Sequence, residues 1–161
     1  MPLSNLERMI QLAETVFATA NDPNQLDVNP EVIERLHQLH PSTVLEHDDG
    51  NGPVAWVLVI PTTHELMNRF LVCEISEREL FNLTPLNAPY EALYLCSALV
   101  LEEYRRTGIA KRLTLHAVES IRNDHPIESL FVWPFSEEGD RASETIARIA
   151  SLPLYRRGVR L

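Results

Sequence analysis

The apolar residues in the first forty positions recur at helical spacing. Ser4 followed by Glu7 has the capping-box spacing that marks a helix start, and Asn29 with Pro30 marks a second start. Pro41 ends this second helix. Each helix is amphipathic, so each is expected to bury one face. The buried face of the first helix is predicted from Leu6, Met9, Ile10, Ala13, Val16, Phe17 and Ala20, and residues 21–24 are predicted to end it.

Four apolar segments predict β-strands, at residues 43–47, 54–60, 93–101 and 129–133. A run of turn-forming residues at 48–52 joins the first two strands, which makes them antiparallel. The second segment is an unbroken apolar run. We therefore expect both of its faces to be covered, which is typical of a central strand, and the third segment is a second long apolar strand.

Apolar spacing predicts two further helices, one from Ile109 to Ile121 and one over residues 138–151. Because a strand, a helix and a strand in succession form a parallel unit, the last two strands are expected to be parallel. The element order is then α-α-β-β-(α-α)-β-α-β-α. This order predicts an α/β fold of mixed α+β character, with a central mixed β-sheet flanked by helices on both faces.

Composition supports a globular protein. The chain has 161 residues, of which 45% are hydrophobic and 23% are charged, so one domain over residues 1–161 is expected. The net charge of −9 disfavours nucleic-acid binding. No apolar run approaches the ~20 residues that span a bilayer, and no signal-peptide pattern opens the chain. Cys73 and Cys96 suggest neither a disulfide framework nor a metal site, so a reducing cytoplasm and no metal are expected.

The residues that most clearly indicate a function lie where the third predicted strand meets the helix that begins near Ile109. Arg105-x-x-Gly108-x-Ala110 lies at this junction, and four of the fourteen basic residues fall within eight positions there. The first amides of a helix have no intrahelical partner and lie at the positive end of its dipole. Gly108 lets an anion approach the backbone, so the junction predicts a site for an anionic ligand.

The stretch from Leu99 to Arg112 resembles the acyl-coenzyme A loop of the GNAT family (GCN5-related N-acetyltransferases). The resemblance covers roughly residues 42–133, and only the loop is specific. In that family the loop amides hold the coenzyme A pyrophosphate, and the preceding strand binds the pantetheine arm and the thioester carbonyl. The resemblance implies cofactor-binding roles for Leu99, Val100, Leu101, Arg105, Arg106, Thr107, Gly108, Ile109, Ala110 and Lys111.

The chain departs from the family pattern between its second and third strands. The family usually has a short hairpin there, but here residues 61–92 intervene. Two capping-box pairs, Thr62 with Glu65 and Ser76 with Glu79, predict one or two short helices in this insertion. We expect the insertion to cover the acceptor pocket or to form a dimer contact.

Catalytic residues are less clearly marked. The family asparagine after the last predicted strand is absent, and Trp133-Pro134 stands in its place. The family tyrosine that protonates the leaving thiolate lies four residues before a Gly-Phe pair. Tyr155 is the candidate here, although it precedes Gly158 by only three residues and could instead be a packing residue.

A general base is expected because an amine with a pKa near ~10 is mostly protonated at neutral pH. Family analogy favours Glu91, just before the third predicted strand, with Glu46 as its rival and a water chain as the third option. Strand alternation places Tyr94 and Ser97 on opposite faces, so only one of them is expected to face the acceptor.

Taken together, these features predict an enzyme that transfers an acetyl group from acetyl-CoA directly to a primary amine in a ternary complex. The alternative is an acyl-CoA-binding module without transferase activity. The acceptor is expected to be a small molecule or a peptide, without nucleic-acid or membrane partners. A homodimer that completes a short C-terminal sheet edge is left open.

Overall fold

The computed structural model describes residues 3–17, 26 and 28–158. The predicted helix end at 21–24 and the tail after residue 158 lie outside these ranges. The described elements in chain order are α1 (Asn5–Phe17), α2 (Pro30–Leu39), β1 (Val44–Asp48), β2 (Pro53–Thr62), α3 (His64–Leu71), α4 (Glu77–Leu83), β3 (Ala92–Val100), a 3₁₀ turn (Glu102–Tyr104), α5 (Ile109–Asp124), β4 (Ser129–Val132), α6 (Glu137–Ala150) and β5 (Leu154–Arg156).

The strands form one sheet in the order β1-β2-β3-β4-β5. β1, β2 and β3 pair antiparallel, whereas β3, β4 and β5 pair parallel. The predicted mixed sheet is therefore confirmed. β5 was not predicted, because three residues directly after Pro153 carry too little pattern to indicate a strand.

A β-bulge interrupts the pairing of β2 with β3. Leu58 lies opposite Ser97, whereas the next residue, Val59, lies opposite Leu95, so Cys96 is the extra residue. The bulge changes the alternation of β3. Tyr94, opposite Ile60, and Ser97, opposite Leu58, consequently share one face of the sheet. The expectation that they lie on opposite faces is wrong, because strict alternation fails across an inserted residue.

β3 and β4 separate soon after they begin. Their pairing covers only Ala92, Leu93 and Tyr94 of β3, which continues to Val100 after β4 has ended at Val132. The second half of β3 therefore borders a cleft on the side away from β2.

Helices cover both faces of the sheet, as predicted. The two crossovers β3-α5-β4 and β4-α6-β5 run in the same direction, which places α5 and α6 together on one face. The other four helices lie on the opposite face, where Arg35 of α2 donates to the Thr84 carbonyl at the end of α4. None of the helices in these ranges has the length and apolar character needed to cross a bilayer.

The insertion between β2 and β3 forms α3 and α4. Ser76 and Glu79 form the predicted reciprocal capping box at the start of α4. The cap of α3 is Thr63 rather than the predicted Thr62. Thr62 belongs to β2 instead, where it is fully buried and its hydroxyl lies 2.7 Å from that of Thr84.

Phe70 of α3 is the centre of an aromatic cluster under the sheet. Its ring makes edge-to-face contacts with Tyr94 of β3 at 5.0 Å between centroids, with Phe131 of β4 at 5.8 Å and with Trp133 at 6.2 Å. The insertion is therefore part of the hydrophobic core and packs against both strands that form the cleft.

We expect Phe70→Ala to lower the free energy of unfolding by about 3–5 kcal/mol, because it removes a fully buried ring and leaves a cavity. Urea denaturation measures this change. Val72→Ala is the matched control in the same segment, because Val72 is 74% exposed, and it should change stability by less than ~0.5 kcal/mol. Similar losses in the two variants would contradict a core role for α3.

Candidate active site

The N-terminus of α5 presents backbone amides at the mouth of the cleft. Gly108 is the N-cap residue with a left-handed φ of 85°, and no side chain caps this helix. The first bond into the helix runs from the Arg112 amide to the Gly108 carbonyl at 3.0 Å. The amides of Ile109, Ala110 and Lys111 precede this bond, so they are oriented to bind an anion.

The loop before α5 is held in place by its own side chains. Arg112 donates to the Thr107 carbonyl at 3.1 Å, and the Thr107 hydroxyl donates to the Tyr104 carbonyl. Arg105 donates through Nε to the Val100 carbonyl at 3.1 Å. These bonds fix a turn in which Arg106 also has a positive φ, of 66°. The hydrogen bonds within the loop therefore hold the turn before α5 in this shape without a ligand.

A cavity of about 420 Å³ lies over this turn. It is lined by Tyr104–Arg106 and Gly108–Lys111 from the loop and by Glu138, Arg141, Ala142 and Thr145 from α6. Arg141 adds a cation that sequence reasoning missed. Only the packing of α6 beside α5 brings this residue to the loop, and nothing local in the sequence indicates that packing.

A second cavity, of about 380 Å³, continues the first into the cleft between β3 and β4. The two share Ala110, Lys111 and Ala142. Its walls are lined by residues 95–98 of β3 and by residues 132–136, which begin at the last residue of β4, and most of these side chains are apolar. Together the cavities form a channel from the positive end of α5 to the bulge at Cys96.

The strand residues differ in how they present their amides. The Leu101 amide donates to the Val54 carbonyl at 2.9 Å, so it is engaged with β2. Backbone amides alternate in direction along a strand, so the Leu99 amide also points towards β2. The amides of Val100 and Ala98 point in the opposite direction, towards the cleft. Leu99 and Leu101 thus border the site without offering an amide, whereas Ala98 offers one that the motif did not indicate.

Glu91 lies far from the cleft. Its amide donates to the Thr62 carbonyl at 3.1 Å, and its carboxylate is 3.6 Å from Nδ1 of His64. It precedes Cys96 by five residues, which is about 17 Å along a strand. Its rival, Glu46, accepts a hydrogen bond from the Trp56 indole at 2.7 Å.

Tyr155 lies on the edge strand β5, opposite Phe131 of β4. Its side chain is 44% exposed, and it lines neither cavity of the channel. Two strand spacings separate it from β3, which is about 10 Å. The structure therefore does not bring the two predicted catalytic residues together, and the acid role of Tyr155 stays a prediction.

Glu77 of α4 is a buried carboxylate that sequence reasoning missed. It accepts hydrogen bonds from the Leu26 amide at 2.7 Å and the Tyr94 hydroxyl at 2.6 Å, and Cys96 Sγ lies 3.9 Å away. Burial raises the pKa of Glu77, whereas the bonds from Tyr94 and Leu26 and the nearby Arg157 act to lower it. In the sequence, Glu77 is only an acidic residue in the first turn of a helix, and a carboxylate at that position is ordinarily exposed.

No family model matches the sequence, and no curated protein sequence matches it. Solved structures do match. Ard1 from Thermoplasma volcanium is 12% identical with a TM-score of 0.52, over 88% of this chain and 74% of that one. Chaetomium thermophilum Naa20, solved with a bisubstrate analogue, is 15% identical with a TM-score of 0.52, over 86% and 64%. The NatB acetyltransferase complex, bound to a bisubstrate inhibitor, is 11% identical with a TM-score of 0.52, over 91% and 69%.

These likenesses show that the chain has the fold of the GNAT N-acetyltransferases, as the resemblance of its loop predicted. The chain covers less than two thirds of the Naa20 chain. At identities this low the shared property is the arrangement of strands and helices.

The pKa of Glu77 predicts a pH-dependent stability. Because its folded pKa is raised above the ordinary value of 4.5, the folded chain keeps this proton where the unfolded chain loses it. Stability should therefore fall as pH rises from about 4.5 through the folded pKa. Urea denaturation across this range measures the free energy of unfolding of the parent and of Glu77→Gln. The parent value minus the variant value should fall as pH rises, because the contributions of the other titratable groups cancel in this difference.

Tyr94→Phe provides the comparison. It removes a hydrogen bond that lowers the pKa of Glu77, so the fall in stability should extend to higher pH than in the parent. A stability difference between the parent and Glu77→Gln that is constant or rises with pH would contradict the raised pKa.

Proposed function

We propose that the protein is an N-acetyltransferase that uses acetyl-CoA as its acyl donor. The observation that carries this proposal is the channel between the uncapped N-terminus of α5 and the opening of the β3–β4 cleft. One end offers free amides and cations, which suits a diphosphate. The other is a narrow apolar cleft beside unpaired strand amides, which suits an acylated thiol arm.

The pyrophosphate is proposed to bind the amides of Ile109, Ala110 and Lys111. Arg105, Arg106 and Lys111 line the same cavity and supply positive charge, with Arg141 from α6 beside them. Thr107 and Gly108 shape the turn. The pantetheine arm is proposed to lie along the free edge of β3, next to Leu99, Val100 and Leu101.

In the proposed reaction a neutral amine attacks the thioester carbonyl carbon. A carbon–nitrogen bond forms, the carbon–sulfur bond breaks, and the proton released by the amine is balanced by protonation of the thiolate. The Val100 and Ala98 amides are proposed to stabilise the oxyanion, which is worth about 3 kcal/mol for a well-placed donor. Because Glu91 lies about 17 Å along the strand from the bulge, water is the proposed carrier of the amine proton.

The acceptor is proposed to be the amine of a small molecule or a peptide. Naa20 and NatB are bound to bisubstrate compounds in the matching structures, which supports direct transfer in this fold. Nucleic acid is not proposed as an acceptor, because the net charge of −9 opposes it. The cytoplasm is the proposed location, given two cysteines without the spacing of a disulfide framework.

A second candidate function is an acyl-CoA-binding module without transferase activity. The positions of Glu91 and Tyr155 favour it, because neither predicted catalytic residue lies at the cleft. Both candidates bind acetyl-CoA, so binding and turnover must be measured separately.

For binding, Gly108→Glu should raise the Kd for acetyl-CoA at least tenfold in calorimetry. The new carboxylate would face the proposed pyrophosphate site, where like charges repel. Gly50→Glu is a matched control, because Gly50 also has a positive φ, of 101°, and does not line the cavity over the loop. It incurs a similar backbone strain and should leave the Kd unchanged. Equal affinity in the Gly108 variant and the parent would refute the site.

For turnover, the purified protein with acetyl-CoA and a panel of amines should release free thiol at a rate that depends on the amine. An Ellman-type thiol assay measures this release, and the Gly108→Glu variant should reduce it in parallel with its loss of affinity. Tight binding of acetyl-CoA with no thiol release for any amine would favour the binding module instead.

A further inference from the structure

A separate cavity opens on the opposite face of the strands that form the channel. Its volume is about 790 Å³, and it lies between the helices α1 and α2 and the strands β2 and β3. It shares Val57, Leu58 and Ser97 with the channel. Ser97 immediately follows the bulge residue, so both cavities reach the segment of β3 beside the proposed position of the thioester.

The described lining of this cavity is mainly apolar. Trp56, Leu58 and Leu99 form its floor, and Ile10, Val28 and Ile33 form its walls. The indole nitrogen of Trp56 already donates to Glu46, so the ring offers an apolar surface without a free donor.

Besides the Trp56 indole, the described lining residues include four with polar side chains: Asn29, Glu34, His37 and Ser97. The Asn29 side chain accepts from the Val32 amide at 2.9 Å. Glu34 and His37 lie on exposed positions of α2 at the edge of the cavity. Polar groups of a ligand would therefore find few partners among the described lining residues, which disfavours their burial here.

We propose that this cavity binds the acceptor, and that the acceptor is a small primary amine with an alkyl or aryl body. The proposal rests on the N-acetyltransferase function above. The amine would lie towards Ser97 and the apolar body between α1 and the sheet. A volume of 790 Å³ is within the ordinary range of small-molecule sites.

The lining argues against two other acceptor classes. A peptide brings backbone amides and carbonyls that need hydrogen-bond partners, and the described walls offer few. A polycation needs several carboxylates, whereas Glu34 alone contributes one to the described lining. An apolar body instead gains free energy from every methylene that leaves water.

The apolar lining of this cavity would also affect the protonation of a bound amine. Transfer of an amine from water to an apolar site disfavours its charged form and lowers its pKa. The cavity would therefore increase the fraction of neutral, nucleophilic amine without a carboxylate at the reaction centre. This effect fits the position of Glu91 beside His64, away from the cleft.

Alkylamines of increasing length test the proposal. From propylamine to hexylamine, kcat/KM should rise about threefold to fourfold for each added methylene. Pentylamine should also be preferred at least tenfold over butane-1,4-diamine, which has a second ammonium in place of the terminal methyl group. A flat series, a preference for the diamine, or a higher kcat/KM for a peptide with an apolar N-terminal residue would overturn the proposal.

A pair of variants on α1 locates the site. Ile10→Glu places a carboxylate in the cavity wall and should lower kcat/KM for pentylamine at least tenfold without changing the KM for acetyl-CoA. Leu6→Glu is the matched control, because Leu6 is 48% exposed, Ile10 is 45% exposed, and Leu6 does not line this cavity. Equal effects of the two variants would refute the assignment.

A binding measurement separates this inference from the proposed function. The chain has two tryptophans, so Trp133→Phe leaves Trp56 as the single fluorophore in the cavity. Pentylamine should change its emission with saturation, and Ile10→Glu should weaken that response. No thiol release with any amine would refute the transferase function, whereas thiol release with diamines or peptides but no Trp56 response would refute only the apolar acceptor site.

Discussion

The separation of β3 from β4 is the constraint on which the rest of the site depends. Backbone amides and carbonyls are obligatory hydrogen-bonding groups, yet β4 ends at Val132 while β3 continues to Val100. The outer half of β3 therefore pairs with β2 on one side and borders a cleft on the other. A ligand that lies along this free edge can take the place of the missing strand. The turn that follows points the positive end of α5 at the same cleft, so the free edge of β3 and the α5 amides border one continuous site.

The bulge at Cys96 and the inserted helices act on the same short segment of β3. The bulge places Tyr94 and Ser97 on one face, where α3 and α4 cover the first of them. Glu77 then connects Tyr94 and Cys96 with the backbone at Leu26, just before α2. A buried carboxylate with three such neighbours fixes their relative positions, at the cost of its own desolvation. The insertion consequently supports the segment of β3 beside the cleft, in addition to being part of the core around Phe70.

Ser97 lines two cavities, one on each face of the sheet, and this arrangement suits a reaction between two bound substrates. The channel is cationic at its outer end and apolar at the cleft, whereas the described lining of the second cavity is mainly apolar. This difference explains how a transferase could work with Glu91 and Tyr155 away from the cleft. In the proposed reaction, desolvation would supply the neutral amine and the strand amides would receive the developing negative charge.

The sequence by itself determined the features that depend on neighbouring residues: the periodicity of the helices, the apolar central strands, the Ser76–Glu79 cap and the Gly108 turn before α5. These follow from local backbone preference and side-chain spacing, which a linear pattern records directly. Only the tertiary structure decided which groups meet. Arg141 reaches the loop through helix packing, Glu77 is buried by the sheet, and the bulge at Cys96 reverses the alternation that had separated Tyr94 from Ser97. Glu91, which family analogy favoured, lies just before the start of β3 and beside His64, and its catalytic role stays a prediction.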